Sequence, residues 1–437
     1  MSGSGASGPA ARPARLPLLI FAVTAVVYVA TLGGSAKGTS SDPHFLYLAD
    51  SFLHGQLSLV SDKPPNRNDW ALYEGRWYVS FPPFPAVVVA PLVAVWGVRA
   101  WDRLFWALLA GLGPALLFVL LRRLSVAGHS ERSTRDNLLL TALFAFGSVY
   151  YYTSVQGTVW HAAHVVATIL LALYLLFAVG ARHPLLAGLA LGCAFMTRPA
   201  TAPLCLIFAL EALRVSRRDG TPAPDGLGGV LRLSHVDTAA LLRRCLVFAA
   251  PILAIGCLAM WLNAARFDDP FEFGHSHLQI RWRPRIEKWG LFNYHYLAKN
   301  LSVFLAGLPW LTAESPHVMI SRHGLALWVT TPAFLLLLWP RRSTPTLTAL
   351  TFAAACVALL DLCYQNSGWV QFGYRFSLDY AVVLIAMLAI GGRHFGRGFH
   401  TLLAIAFAVN LFGAITFDRH KQFYSRDASQ KVIFQPD

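Results

Sequence analysis

Apolar runs of about 17–25 residues, long enough to cross a hydrocarbon core ~30 Å thick, recur from one end of this chain to the other. In lipid every backbone polar group needs an internal partner, so such runs must be helices. Hydrophobic residues make up 56% of the 437 and charged residues 13%, about half the charged share of an ordinary soluble domain. The chain is therefore expected to be an all-α polytopic membrane protein. The net charge of +14 does not point to nucleic acid, because the arginines gather at the ends of apolar runs and not on one soluble face. All six cysteines fall in or at the ends of apolar runs, with no metal or disulfide spacing.

Basic residues orient the spans. Residues 1–15, rich in Ser, Gly, Ala and Pro, read as a disordered cytoplasmic tail, and Arg12 and Arg15 keep it inside. Residues 33–100 then form a first extracytoplasmic loop. Its later part, 82–97, is Pro-rich and suits a helix lying at the interface. That placement puts Arg122, Arg123, Arg132 and Arg135 in the cytoplasm and brings later basic clusters into phase. A cytoplasmic loop follows at 214–244, with a Gly/Pro-rich middle, and a second long outer loop at 264–322. About eleven spans result over residues 16–417, with the N-terminus in and residues 418–437 as an outer tail. Most acidic residues and histidines capable of chemistry then face outside. This favours an enzyme working at one face over a transporter or lipid flippase, which needs a charged path at mid-membrane. No internal repeat of the transporter kind is evident.

Several constellations carry chemistry, each with a plainer alternative. Asp42 precedes an amphipathic stretch, Pro43–Gly55, and is either its N-cap or a carboxylate able to take a proton from a hydroxyl. Trp70–Phe81, with Glu74-Gly75 at its centre, reads as a short hairpin whose aromatics, Tyr78 among them, are a headgroup belt or a substrate wall. Lys63 is a solvated loop cation or a partner for a lipid phosphate. His161 and His164 are i, i+3 on one helix face, as helix-start residues, an acid/base group, or ligands that hold a divalent cation with Asp42. Arg198 either snorkels to the headgroups or binds an anion. Arg375 and Asp379, i, i+4 at the start of a span, either pair with each other or leave Arg375 to face a phosphate.

In order and pattern these stretches resemble the GT-C superfamily of integral-membrane glycosyltransferases, which use polyprenyl-phosphate-linked sugars and include protein O-mannosyltransferases and lipid A aminoarabinose transferases. Asp42 in the first outer loop matches the acidic residue such enzymes use as base. Ser80–Pro85 is similar to their Pro-rich entry to an interfacial helix, and Gly157–His161 occupies the place of their second outer loop. Trp261–Gly274, including Arg266, resembles an Asn-x-x-Arg-Phe-Gly-x-Pro-Phe-Glu-Phe-Gly stretch of bacterial members, with Asp268 where that pattern has Gly. Phe372–Phe376, including Tyr374, resembles a late Gly-x-Arg-Tyr element.

The resemblance implies a GT-C fold and inverting transfer of a sugar from a polyprenyl phosphate to an extracytoplasmic hydroxyl on a glycan, lipid or protein. Asp42 would be the base and His161 would orient the acceptor. Lys63, Arg198 or Arg375 would stabilise the leaving phosphate. Tyr78, His164, Arg266, Tyr374 and Asp379 complete the expected binding residues. The implied place is the inner membrane, with membrane lipids as the surroundings. A transporter, or an O-antigen-ligase-like polymer transferase, is the alternative.

Overall fold

A computed structural model describes residues 15–218 and 226–425. The expected tail before Arg15, the Gly/Pro-rich middle of the 214–244 loop and the end of the outer tail lie outside these residues. The chain opens with α1 (Arg15–Leu32), α2 (His44–Leu53), the strands β1 (Trp70–Tyr73) and β2 (Arg76–Val79), and α3 (Phe84–Trp96). Then come α4 (Asp102–Ala110), α5 (Leu112–Val126), α6 (Thr134–Phe146), α7 (Tyr150–Ser154), α8 (Val159–Ala178), α9 (Pro184–Phe195) and α10 (Cys205–Val215). The remainder is α11 (Gly226–Val230), α12 (Thr238–Phe267), α13 (Arg283–Trp289), α14 (Leu297–Ala306), α15 (Leu327–Thr330), α16 (Pro345–Leu362), α17 (Ala381–Ile390) and α18 (Arg397–Thr416).

Among the described residues six helical stretches are long and apolar enough to cross a membrane: Arg15–Ala36, Asp102–Val126, Val159–Ala181, Thr238–Phe267, Pro345–Leu362 and Arg397–Thr416. The other expected spans are short or broken. The apolar run 324–339 is two pieces, α15 and a 3₁₀ turn Pro332–Leu338, because Pro332 forces Thr331 out of the helical region. The apolar run 378–390 likewise holds only the short α17, all ten of whose residues are buried.

α8 is the central element, 78% buried in its apolar window, whereas α12 is 11% buried and peripheral. α9 seats against α12 through Gly188 and Gly192. A Cβ at Gly188 would strike the carbonyl oxygen of Phe248, and one at Gly192 would come within 2.6 Å of Ile255 Cδ1. Small residues four apart let two membrane helices approach backbone to backbone. The main core gathers Tyr28, Leu117, Phe144, Leu171, Phe208, Leu350 and Ile385 from seven helices.

The first outer loop packs on the start of α8 as a second core, including Phe45, Trp70, Val89, Trp106, Val159 and Ala163. The hairpin forms where expected, with Trp70 opposite Val79 and Tyr73 opposite Arg76. Glu74 and Gly75 both take positive φ, 47° and 75°, the backbone that a tight two-residue hairpin turn requires. The second long loop adds to this hairpin: Leu72 N donates to His277 O and Gln279 N to Trp70 O.

Helix ends sort chemically. The start of α8, the end of α16, the start of α17 and the end of α18 carry His161, Asp361, Asp379 and Asp418. The opposite ends of the same bundle carry Arg123, Arg132, Arg182, Arg214, Arg342 and Arg393.

Candidate active site

At the acidic pole a cavity of about 390 Å³ opens between the first outer loop, the start of α8 and the segment before α17. Asp42, Asp69, Asp418, His161, Tyr424, Arg375, Arg322 and Lys421 supply its ionisable walls. Its size falls within the usual range for small-ligand sites.

Asp42 is buried, and it is not the N-cap of α2: Pro43 holds that position, with no side-chain cap bond. The carboxylate is drawn away by the loop that follows. Oδ2 accepts from Ser41 Oγ at 2.7 Å, and Oδ1 accepts from Asn68 Nδ2 at 3.0 Å and Asn66 Nδ2 at 3.3 Å. Asn66 is fixed in turn by Trp70, whose indole Nε1 donates to its Oδ1 at 2.8 Å. The Asp42 carbonyl accepts from Val159 N at 3.0 Å, which ties the loop to the first turn of α8. Behind Asp42, His44 stacks on Trp70 at 3.9 Å, and burial draws its imidazole down to about 4, so it is neutral at physiological pH.

The second carboxylate, Asp69, was not singled out by sequence reasoning. Its backbone takes φ 57°, a conformation tolerated by Asp more readily than by most residues. Trp160 Nε1 donates to its Oδ2 at 3.1 Å. Burial pushes this carboxyl up to about 6, helped by the negative charge of Asp42 and opposed by the Trp160 bond and the Arg375 charge.

His161 is buried in the first turn of α8. Its Nδ1 lies 2.7 Å from Thr158 Oγ1, while its Nε2 has no hydrogen-bond partner among the described residues. Gly157 makes this turn possible. It takes φ 77°, and a Cβ there would meet Arg103 at 2.7 Å.

Arg375 sits on a 3₁₀ turn, Arg375–Asp379. Its Nη1 donates to the carbonyls of Gly368 and, at 2.9 Å, Val370, and its Nε is buried without a partner. Gln371 braces the turn, accepting from Arg375 N at 2.9 Å and donating to His323 O and Ser367 O at 2.7 Å each. Burial pulls the Arg375 guanidinium below its usual range, and it remains a cation.

Arg375 and Asp379 do not pair with each other. Arg198 grips Asp379 with a two-pronged fork, Nε–Oδ1 at 3.0 Å and Nη2–Oδ2 at 2.7 Å. His164 Nδ1 lies 3.2 Å from Asp379 Oδ1. The two histidines of α8 therefore part company: His161 lines the cavity and His164 backs the ion pair. The Arg198 guanidinium is thus engaged by a carboxylate and does not line the cavity. Tyr374 packs beneath with Val303, Leu362 and Phe376, and its hydroxyl is buried without a partner.

Tyr78 and Arg266 lie elsewhere. Tyr78 packs on Phe267 at 5.2 Å, while Arg266 donates to Val79 O at 3.1 Å and Asn263 Oδ1 at 2.8 Å, fastening α12 to the hairpin. Lys63 is exposed and does not line the cavity. Asp268, standing where the resembled pattern has Gly, takes φ 57° as the left-handed cap of α12 and accepts from Tyr73 OH at 3.0 Å. Among the described residues no group of three His, Cys, Asp or Glu side chains could hold a metal ion, so Asp42 and His161 have no third such ligand.

No family model matches this sequence, and no curated protein matches it. Among solved structures, the apo oligosaccharyltransferase of Archaeoglobus fulgidus superposes with a TM-score of 0.50 at 15% identity over 92% of this chain and 56% of that one. The apo form of ArnT from Cupriavidus metallidurans gives 0.50 at 14% identity over 89% of this chain and 61% of that one. The chain thus spans a little over half the length of the first and about three fifths of the second. The chain is similar in fold to these two proteins.

Proposed function

We propose that this protein is a membrane glycosyltransferase moving a sugar from a polyprenyl-phosphate donor to an extracytoplasmic hydroxyl, with inversion at the anomeric carbon. The observation that carries the reading is the cavity itself, which brings Asp42 and Asp69, the imidazole of His161 with its free nitrogen, and Arg375 together, with Asp418, Arg322 and Lys421 also in its lining. A neutral or acidic ligand pocket has no need of that mixture, whereas displacement of a phosphate by an alcohol does.

In this reading the acceptor O–H proton passes to Asp42 as the oxygen bonds to the anomeric carbon. The bond from that carbon to the phosphate oxygen breaks, and polyprenyl phosphate leaves. Asn66, Asn68 and Ser41 hold the Asp42 carboxylate in place for the transfer. Asp69 is ionised at neutral pH and sets a second negative charge in the cavity beside Asp42. His161 Nε2 is the group that orients the acceptor. Arg375 meets the growing charge on the leaving phosphate, with Lys421 and Arg322 nearer the rim. The Arg198–Asp379 fork, with His164 behind it, holds the turn that presents Arg375. The fold likeness to an oligosaccharyltransferase supports this reading, as does the arginine-rich opposite pole, which suits the cytoplasmic side of an inner membrane.

The test is release of polyprenyl phosphate from a panel of radiolabelled donors by protein in nanodiscs, run with mixed glycan, lipid and peptide acceptors. Asp42-dependent release from one donor establishes the activity and names the sugar. Folded protein that releases nothing from any donor overturns it.

A further inference from the structure

The basic pole holds a second cavity, of about 280 Å³, between the ends of α5 and α8. Leu120 and Leu124 form one wall and Leu175 and Leu176 the other, and Arg123 and Arg182 stand among them. Among the described residues no carboxylate lines it. The two guanidiniums thus line one cavity as like charges.

The arrangement is built by the chain reversal after α8. Gly180 takes φ 73°, and its N–H donates to Glu211 Oε2 at 2.6 Å. The stem of Arg182 folds back over Gly180, its Cγ 3.5 Å from where a Cβ would sit. Glu211 is the nearby acid, but it is committed elsewhere. Arg214 forks onto it at 3.1 and 2.8 Å, and Thr346 Oγ1 donates to it at 2.8 Å. Other arginines of this pole also have partners: Arg132 donates to Leu388 O at 3.0 Å and Arg342 pairs with Glu131.

Two guanidiniums above leucine walls at a helix-bundle end match one ligand chemistry, a phosphate carrying alkyl chains. Guanidinium forks suit phosphate oxygens, and basic pockets between membrane helices favour anionic headgroups. We propose that this cavity binds the phosphate of an anionic phospholipid from the leaflet opposite the candidate active site. The anion relieves the repulsion between Arg123 and Arg182, and its first methylenes cover the leucines. The assignment stands apart from the proposed reaction, since the site shares no residue with the first cavity.

The experiment is native mass spectrometry of the full chain released from nanodiscs of equal phosphatidylglycerol and phosphatidylcholine. Wild type should retain phosphatidylglycerol with an enrichment of about tenfold or more. R123A/R182A should fall to the ratio of the nanodisc, and R123K/R182K should keep part of the preference. Unchanged enrichment in R123A/R182A overturns the proposal. R182A alone, altering an exposed residue, gives the same reading should the double variant not fold. A parallel arm adds millimolar inorganic phosphate. Retained lipid supports the phospholipid, and its displacement overturns the lipid assignment in favour of a soluble phosphate.

Discussion

Asp42 and Asp69 share a cavity yet differ in what surrounds them. Three neutral donors converge on Asp42, whereas Asp69 accepts from one indole and is otherwise shaped by burial. Asp42→Asn keeps those bonds geometrically feasible but cannot take a proton. Donor turnover should fall on the order of 10²–10⁴-fold with thermal stability little changed, as measured by single-turnover release. Asp69→Asn should cost less and act differently. Wild-type kcat/KM should decline as pH falls through about 6, where Asp69 becomes neutral, and the variant should lack that limb. The same group bears on stability with a definite sign. Its folded value lies above the ordinary 3.8, so the folded state binds the extra proton and loses stability as pH rises from about 4 to 6. A pH-independent difference in melting between wild type and Asp69→Asn would refute this. Arg375→Ala should lower turnover about 10²–10³-fold by leaving the departing phosphate unstabilised, and unchanged turnover would remove Arg375 from that role. Asp42 was visible in the sequence because an acid beside a membrane span is conspicuous. Asp69 was not, since only folding buries it against Trp160, 91 residues away. Arg198 and Asp379 are 181 residues apart, so local spacing offered Arg375 as a partner for Asp379 and no partner side chain for Arg198.

At the scale of elements, what was legible was local. The hairpin follows from aromatic runs around Glu74-Gly75, and α3 from Pro82-Pro83 and the apolar run behind them. Helix α8 begins at Val159, because Gly157 permits the turn that puts Thr158 before it. Helix contacts were invisible to periodicity, since nearly every face of a membrane helix is apolar. The α9–α12 seam shows this: Gly188 and Gly192 matter through what approaches them, not through turn chemistry. Gly188→Ala should destabilise by about 1–3 kcal/mol, because the added methyl meets the Phe248 carbonyl on a backbone that cannot retreat. Thermal unfolding in a fixed detergent measures it, and an unshifted midpoint would mean the seam is looser than described. The left-handed cap at Asp268 carries the opposite lesson. Asp there keeps the conformation a glycine would favour and gains the Tyr73 bond, so Asp268→Gly should change stability by no more than about 1 kcal/mol.

For the whole molecule, the division into an acidic pole with the larger cavity and a basic pole with the smaller one is the main organising fact. The arginines used to orient the spans gather at one end of the bundle, and among the described residues six helices are long and apolar enough to cross a membrane, with Pro332 and the short α17 interrupting other apolar runs. Single cysteines at Arg76 in the hairpin and Arg135 in α6, both exposed, should react with impermeant reagents from opposite sides of sealed vesicles in a background without other cysteines. Labelling of both from one side would break the topology. The acidic cavity also has a history written into its parts. Asp42 and the hairpin are made first, the loop that stitches to the hairpin follows α12, and Arg375 arrives only after α16. A nascent chain halted before Arg375 holds the base without the guanidinium assigned to the leaving phosphate, so on the proposed chemistry such ribosome-bound intermediates are incapable of discharging donor lipid.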